Sequence, residues 1–230
     1  MADGSKRRTS LKHAELREEV TRVSRRMSAS GLVRTTSGNV SARTPEGNVL
    51  ITPSGLPYED LEPADLALVD LSGNLLEGPL EPSTEVPMHT GIYRRRPRVG
   101  GIVHTHAPYA TVLACLGLEI PGVHYMLAAL SEEGRVPLAP YATYGTEELA
   151  GYASEALGEG HSACLLQNHG TVAVAETATK AYSLTEILEE MAELYYRTRL
   201  AGDPIVLDPG QLAETRAKIS GYGQSKQTPG

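Results

Sequence analysis

Gly101-Ile102-Val103-His104-Thr105-His106 is the stretch on which the reading of this chain turns. It reads as a short strand, closed by Ala107-Pro108. On a strand, residues i and i+2 point to the same face, so His104 and His106 project side by side. Two readings stand for such a pair: two nitrogen ligands offered to one metal ion, or two stacked polar side chains at a strand end. A third histidine, His169, lies between Asn168 and Gly170 in a tight turn, where backbone geometry rather than packing dictates the residue. Three histidines with an open fourth position are a catalytic Zn²⁺ pattern, whereas closed structural sites fill all four positions.

Outward from this strand, helices and strands alternate irregularly. Ser10 is expected to cap a helix running to about Ser30, with Gly31 as its stop. Strands follow at 39–42, 49–51 and 66–70, then a turn at Ser72-Gly73-Asn74. Ser83 is expected to cap a helix to about Arg96, ended by Pro97. After the histidine strand come a helix at 109–116, a helix from Thr146 to Leu157, and strands at 163–166 and 171–175. Thr177 caps a long helix to about Leu200, and a last helix covers about 209–220. Hairpin-like neighbours among the strands favour one mixed α/β layer structure over a regular βαβ array. Residues 1–230 read as a single domain, with 1–10 and 223–230 as flexible tails.

Bulk properties narrow the function. At 40% hydrophobic residues the chain can build a core. A net charge of −7 argues against a nucleic-acid or anionic-membrane partner. No stretch approaches the roughly 20 apolar residues needed to cross a bilayer. The basic start Lys6-Arg7-Arg8 precedes no apolar run, so no secretory leader is expected and the expected location is cytoplasmic. Cys115 and Cys164 both lie in apolar runs and read as buried free thiols. There are eleven Tyr and neither Trp nor Phe, so every large ring carries a hydroxyl that needs a partner when buried. His13 and His161 fall in polar, surface-like stretches, and His89 and His124 read as isolated structural or exposed residues. The run Arg94-Arg95-Arg96-Pro97-Arg98 reads as a solvated helix end complementing the dipole. Glu186, Glu189, Glu190 and Glu193 read as a solvated helix face.

Pro82-Ser83-Thr84-Glu85 opens a helix, where hydroxyls and free N–H groups make an anion site; plain capping explains the same residues. Thr36-Ser37-Gly38-Asn39-Val40-Ser41 and Thr52-Pro53-Ser54-Gly55 are turns that could hold phosphate oxygens or be only turns.

In this order the motifs resemble the class II (zinc-dependent) sugar-phosphate aldolase family, most closely its L-fuculose-1-phosphate-cleaving branch. The resemblance runs from about Leu16 to Tyr222. It is carried by Ser37-Gly38-Asn39-Val40-Ser41, Ile51-Thr52-Pro53-Ser54-Gly55, Ser83-Thr84-Glu85, His104-Thr105-His106, His124-Tyr125-Met126, the segment 139–146 and Gln167-Asn168-His169-Gly170. It implies a three-layer α/β/α sandwich around a mostly antiparallel sheet, assembled as a homotetramer with sites between subunits. His104, His106 and His169 match the metal ligands. Glu85 matches an acid/base carboxylate that can also bind the metal. Asn39, Ser54, Gly55, Ser83 and Thr84 match the substrate-phosphate pocket. Tyr125 matches a tyrosine serving the aldehyde oxygen in a neighbouring subunit's site, and Tyr222 one on the C-terminal tail. The implied cofactor is one Zn²⁺ per subunit, with Co²⁺ or Mn²⁺ as substitutes three histidines would also hold. The implied reaction is retro-aldol cleavage of a ketose phosphate to dihydroxyacetone phosphate and a small aldehyde. Its alternatives are a pentulose-phosphate 4-epimerase, a methylthioribulose-1-phosphate dehydratase, and a non-catalytic adducin-head-like domain, whose members lack the metal histidines. None of Lys6, Lys12, Lys180, Lys218 and Lys226 occupies a pocket-like position, which disfavours a Schiff-base mechanism.

Overall fold

The computed structural model describes residues 11–219. Eight strands form one sheet: β1 (Asn39–Arg43), β2 (Val49–Ile51), β3 (Ala67–Val69), β4 (Leu75–Glu77), β5 (Gly101–Thr105), β6 (Leu138–Ala139), β7 (Ala163–Leu166) and β8 (Gly170–Ala175). Their spatial order is β4-β3-β2-β1-β5-β8-β7-β6. Every neighbouring pair is antiparallel except β6 and β7. Six helices cover the two faces: α1 (Ala14–Ala29), α2 (Val86–Arg95), α3 (Pro108–Cys115), α4 (Glu147–Leu157), α5 (Ala178–Ala201) and α6 (Pro209–Ile219).

The period-2 alternation of each strand divides the core in two. Val40, Ala42, Val103, Leu165 and Ala173 face a cluster with α1, α3 and α5. Ile51, Val69, Ile102, Leu166 and Val172 face a second cluster with α2 and α4. The result is the expected α/β/α sandwich around a mostly antiparallel sheet. His104, two residues beyond Ile102, therefore points to the α2 side. Thr146 and Thr177 cap α4 and α5 as expected, accepting from Leu149 N and Lys180 N.

Several expectations need correction. Ser10 lies outside the described residues, and α1 begins after His13, whose side chain makes no cap. Ser83 is not the cap of α2: the helix starts at Val86 with Glu85 at its N-cap, and Ser83 Oγ accepts from Glu85 N in the turn before it. Strands β4 and β6 went unforeseen, being only three and two residues long. Cys115 is exposed at the end of α3; only Cys164 is buried. His161 is buried, and Arg96 donates to its carbonyl at 2.6 Å, so the arginine run is not simply solvated. Arg94 likewise donates to Leu71 O. Glu189 is a cap rather than a solvated residue: its oxygens accept from Tyr109 N and Ala110 N at the start of α3.

Arg17 is the most demanding buried side chain, 1% exposed. It donates to the carbonyls of Lys12, Pro63 and Leu66 and pairs with Glu77 at 2.8 Å, tying α1 to the β3–β4 edge. Replacing it by Met strands those carbonyls, and Arg17→Met is expected to lower unfolding stability in urea by about 3 kcal/mol. Glu77 is 39% exposed, so Glu77→Gln is expected to cost less than about 1 kcal/mol.

Candidate active site

β5 ends between β1 and β8, with His104 opposite Asn39 on one side and Val172 on the other. The β7–β8 connection brings in the third histidine. Asn168 takes a left-handed backbone (φ 54°), and His169 follows it. Gly170 then lies so close to β5 that an added Cβ would collide with Thr105 O and stand 2.9 Å from His106 Cδ2. Glycine is required there for the hairpin to approach. Gly38, with φ +81°, does the same for β1: a Cβ would lie 2.7 Å from His104 O.

These approaches set the three imidazoles in a near-equilateral triangle. Ring centroids are 5.0 Å apart for His104–His106, 4.9 Å for His104–His169 and 5.1 Å for His106–His169. One ligand nitrogen from each falls within 4.8 Å of the others. Glu85, immediately before α2, closes the group: Oε2 is 2.8 Å from His104 Nε2, and Oε1 is 3.5 Å from His169 Nε2.

The hydrogen inventory tests whether a metal fits. His104 Nδ1 is 2.8 Å from Thr171 O, and a carbonyl only accepts, so Nδ1 carries the hydrogen. The neutral ring then presents a lone pair at Nε2. That lone pair faces Glu85 Oε2 and also His106 Nε2, 3.2 Å away. Acceptors turned on one another in a buried site need a cation or a proton between them. Two nitrogens each 2.0–2.1 Å from one tetrahedral ion stand about 3.3 Å apart, close to the 3.2 Å between His104 Nε2 and His106 Nε2. Glu85 Oε1 and His169 Nδ1 are buried without a hydrogen-bond partner. The donor set fits a divalent metal.

Charge follows the same logic. Burial disfavours ionisation of Glu85, but the attraction of His104 and His169 and the bond from Asn39 outweigh it, and its pKa falls well below the carboxylate range. Burial disfavours protonation of His104 too, yet Glu85 outweighs that and raises its pKa. Burial, reinforced by repulsion from neighbouring imidazoles, pushes His106 and His169 each down to about 4. Two rings are thus neutral at pH 7, the form that binds metal.

The other expected residues gather beside this group. A bridge between Pro53 and Pro82 joins two turns, with Ser83 N donating to Thr52 O and Ser54 N to Glu81 O. Thr52 N donates to Val40 O, which links both turns to β1. Asn39, Ser54, Gly55, Ser83 and Thr84 therefore lie on three adjoining segments ending at Glu85. Ser54, Gly55 and Thr84 are exposed, while Asn39 and Ser83 are buried. Asn39 Nδ2 donates to Glu85 Oε2 at 3.0 Å, so that amide serves the carboxylate directly. Tyr125, 51% exposed, opens a 3₁₀ turn (Tyr125–Ala129) and packs on His124. Among the described residues no hydrogen bond or ring contact joins it to His104, His106 or His169. Tyr222 lies outside the described residues.

A family model described as Class II Aldolase and Adducin N-terminal domain matches residues 18–196. The chain belongs to this family. It is 41% identical over 214 residues to a 5-methylthioribulose-1-phosphate/5-deoxyribulose-1-phosphate aldolase of Rhodospirillum rubrum, covering 93% of this chain and 95% of that one. It is 40% identical over 198 residues to an L-fuculose phosphate aldolase of Escherichia coli K12, covering 86% and 90%. A solved structure titled L-fuculose 1-phosphate aldolase superposes with a TM-score of 0.86 at 35% identity, covering 90% of this chain and 97% of that one.

As a class II aldolase the chain is a metal-dependent enzyme, and the His104, His106 and His169 group is where the fold offers a metal site. Among the described residues no helix is long and apolar enough to cross a membrane. One residue of this region escaped the sequence reading. His89 is fully buried and bonded to Asn39, not isolated. A signal for it existed: His89 stands four residues after Glu85, and on a helix i and i+4 share a face.

Gly170→Ala is expected to push the hairpin away from β5 and weaken Zn²⁺ affinity at least about tenfold in a competition titration, because it displaces a ligand. Wild-type affinity in this variant would show that the close approach does not hold the site together.

Proposed function

We propose that the chain is a zinc-dependent aldolase that cleaves a ketose 1-phosphate of the L-fuculose 1-phosphate kind into dihydroxyacetone phosphate and a small aldehyde. What carries the reading is the placement of Glu85: one buried carboxylate against a three-histidine cluster, at the end of three segments rich in hydroxyls and backbone N–H groups. Relatives named for 5-deoxyribulose 1-phosphate and for L-fuculose phosphate support a phosphorylated ketose.

Cleavage breaks the C3–C4 bond and leaves its electron pair on C3, while the C4 hydroxyl becomes the aldehyde by giving up a proton to the ionised Glu85 carboxylate. His104, His106 and His169, with Glu85 as a further ligand before substrate arrives, would hold a divalent ion, which would supply Lewis-acid charge for the oxygen anion that develops. Glu85 delivers a proton to C3, and in the synthetic direction removes it. Tyr125, reaching from a neighbouring subunit of a homotetramer, serves the aldehyde oxygen; its exposure on the single chain supports that assignment. Tyr222 is assigned to the same side of the substrate. Asn39, Ser54, Gly55, Ser83 and Thr84 hold the phosphate through N–H groups and hydroxyls, so a net charge of −7 is no obstacle. The same reading treats residues 1–230 as one domain of a cytoplasmic enzyme.

EDTA is expected to abolish dihydroxyacetone phosphate release and Zn²⁺ to restore it; full turnover in a metal-free preparation contradicts the proposal. Glu85→Gln is expected to lower turnover by about 10²–10⁴-fold with zinc content intact. In a substrate panel, L-fuculose 1-phosphate and 5-deoxyribulose 1-phosphate should release dihydroxyacetone phosphate, and a pentulose 5-phosphate should not. Inversion at C4 of that 5-phosphate would instead make the enzyme an epimerase.

A further inference from the structure

Behind Glu85 runs a buried polar chain that the reaction above leaves unused. His89 on α2 turns Nε2 to the side-chain oxygen of Asn39 and holds Nδ1 2.6 Å from Ser41 Oγ. Ser41 Oγ lies 2.9 Å from the Tyr93 hydroxyl. At the other end Asn39 Nδ2 meets Glu85 Oε2. All five residues are buried, and His89 and Ser41 are 0% exposed.

What each atom can donate or accept settles the direction of every link. A carboxylate oxygen accepts, so Asn39 turns its NH₂ to Glu85 and its oxygen to His89. That oxygen accepts as well, so His89 carries its hydrogen on Nε2, and its Nδ1 is an acceptor in the neutral ring. Ser41 must then donate to Nδ1, and Tyr93 must donate to Ser41. The direction of every link thus follows from the acceptor at Glu85 Oε2, and His89 holds the Asn39 amide in that orientation. Among the described residues Oε1 has no hydrogen-bond partner, and it lies on the His169 side.

We propose that His89 is a positioning residue: through Asn39 it fixes the Glu85 carboxylate, holding Oε2 as an acceptor and leaving Oε1 to handle the reacting proton. This rests on the reading of Glu85 as the proton carrier. In cleavage Oε1 first takes the proton that the C4 hydroxyl releases; the Oε1–H bond then breaks as a C–H bond forms at C3, using the electron pair left by the broken C3–C4 bond. Oε1 ends as part of the carboxylate, whose charge the Asn39 N–H helps to hold. Without His89, the buried Asn39 oxygen loses its donor and the amide is no longer held in line with Glu85 Oε2. The amide then shifts to find another donor, and the carboxylate it holds turns out of line.

The test follows solvent-deuterium exchange into dihydroxyacetone phosphate by the zinc-loaded enzyme, alongside cleavage kinetics. His89→Leu is expected to slow exchange and kcat by about 10–100-fold, with KM within about twofold and zinc content unchanged. His89→Gln places an N–H where the imidazole Nε2–H stood and is expected to recover exchange to within about threefold of wild type. In a Glu85→Gln background, His89→Leu should alter residual turnover by less than about twofold, because the two residues act through one group. Wild-type exchange in His89→Leu, equal losses in His89→Leu and His89→Gln, or an undiminished loss in the Glu85→Gln background would each overturn the proposal. Wild-type exchange in Glu85→Gln itself would instead remove the proton-carrier reading on which it rests. If His89→Leu fails to fold, Ser41→Ala carries the same test, since it keeps the imidazole and removes the donor to Nδ1. Slower exchange supports the proposal and wild-type exchange contradicts it.

Discussion

β5 is hydrogen-bonded along both edges, to β1 and to β8, and this double pairing sets where the site residues stand. It places Asn39 across from His104 and brings the β7–β8 turn, with His169, onto the end of the same strand. Because β5 is central and its alternate residues are buried on both faces, its register cannot slip by one residue without turning every apolar side chain to the wrong layer. The geometry of the site is thus inherited from the most constrained part of the sheet. Gly38, just before β1, and Gly170, at the start of β8, each sit against the backbone of the histidine strand, and neither contact leaves room for a Cβ.

That constraint has an electrostatic consequence. The fold forces three imidazoles and a carboxylate together in a region where unpaired polar atoms are costly. Thr171 fixes one hydrogen of His104 on the far nitrogen, so in the neutral ring the near one offers a lone pair. In a metal-free chain a second proton on that near nitrogen, facing the Glu85 carboxylate, relieves part of the conflict, since the carboxylate raises the pKa of the ring and the ring lowers that of the carboxylate. A divalent ion relieves all of it at once. The chain Tyr93–Ser41–His89–Asn39 reaches the same point from behind, and every donor in it is consistent with an acceptor at Glu85.

Much of this was legible in the sequence, and for identifiable reasons. The i, i+2 spacing of His104 and His106 needs only strand geometry to be read. The Asn168-His169-Gly170 turn declares itself through residues that tolerate left-handed backbone. Thr146 and Thr177 announce their helices because their caps are local. What escaped depends on partners far along the chain. Ser83 looked like a cap, but it lies in the turn bridged to Thr52, two residues ahead of the N-cap position that Glu85 takes. Glu189 looked solvated, but it caps a helix eighty residues away. His89 looked isolated, although Asn39, fifty residues earlier, is its partner across the sheet. Cys115 looked buried because its run is apolar, yet it falls on the outer side of a short helix end. Periodicity shows which face is apolar; it does not show which distant polar group meets a given side chain.

The central claim is that the convergence of His104, His106, His169 and Glu85 exists to hold one divalent metal. Anomalous scattering measured across the zinc edge, from crystals grown with the metal the protein carries on purification, tests it most directly. The account predicts one strong site per chain, about 2.0–2.1 Å from a nitrogen of each of the three histidines. A fully occupied site elsewhere, or no anomalous peak among these histidines in crystals of an active preparation, would contradict it.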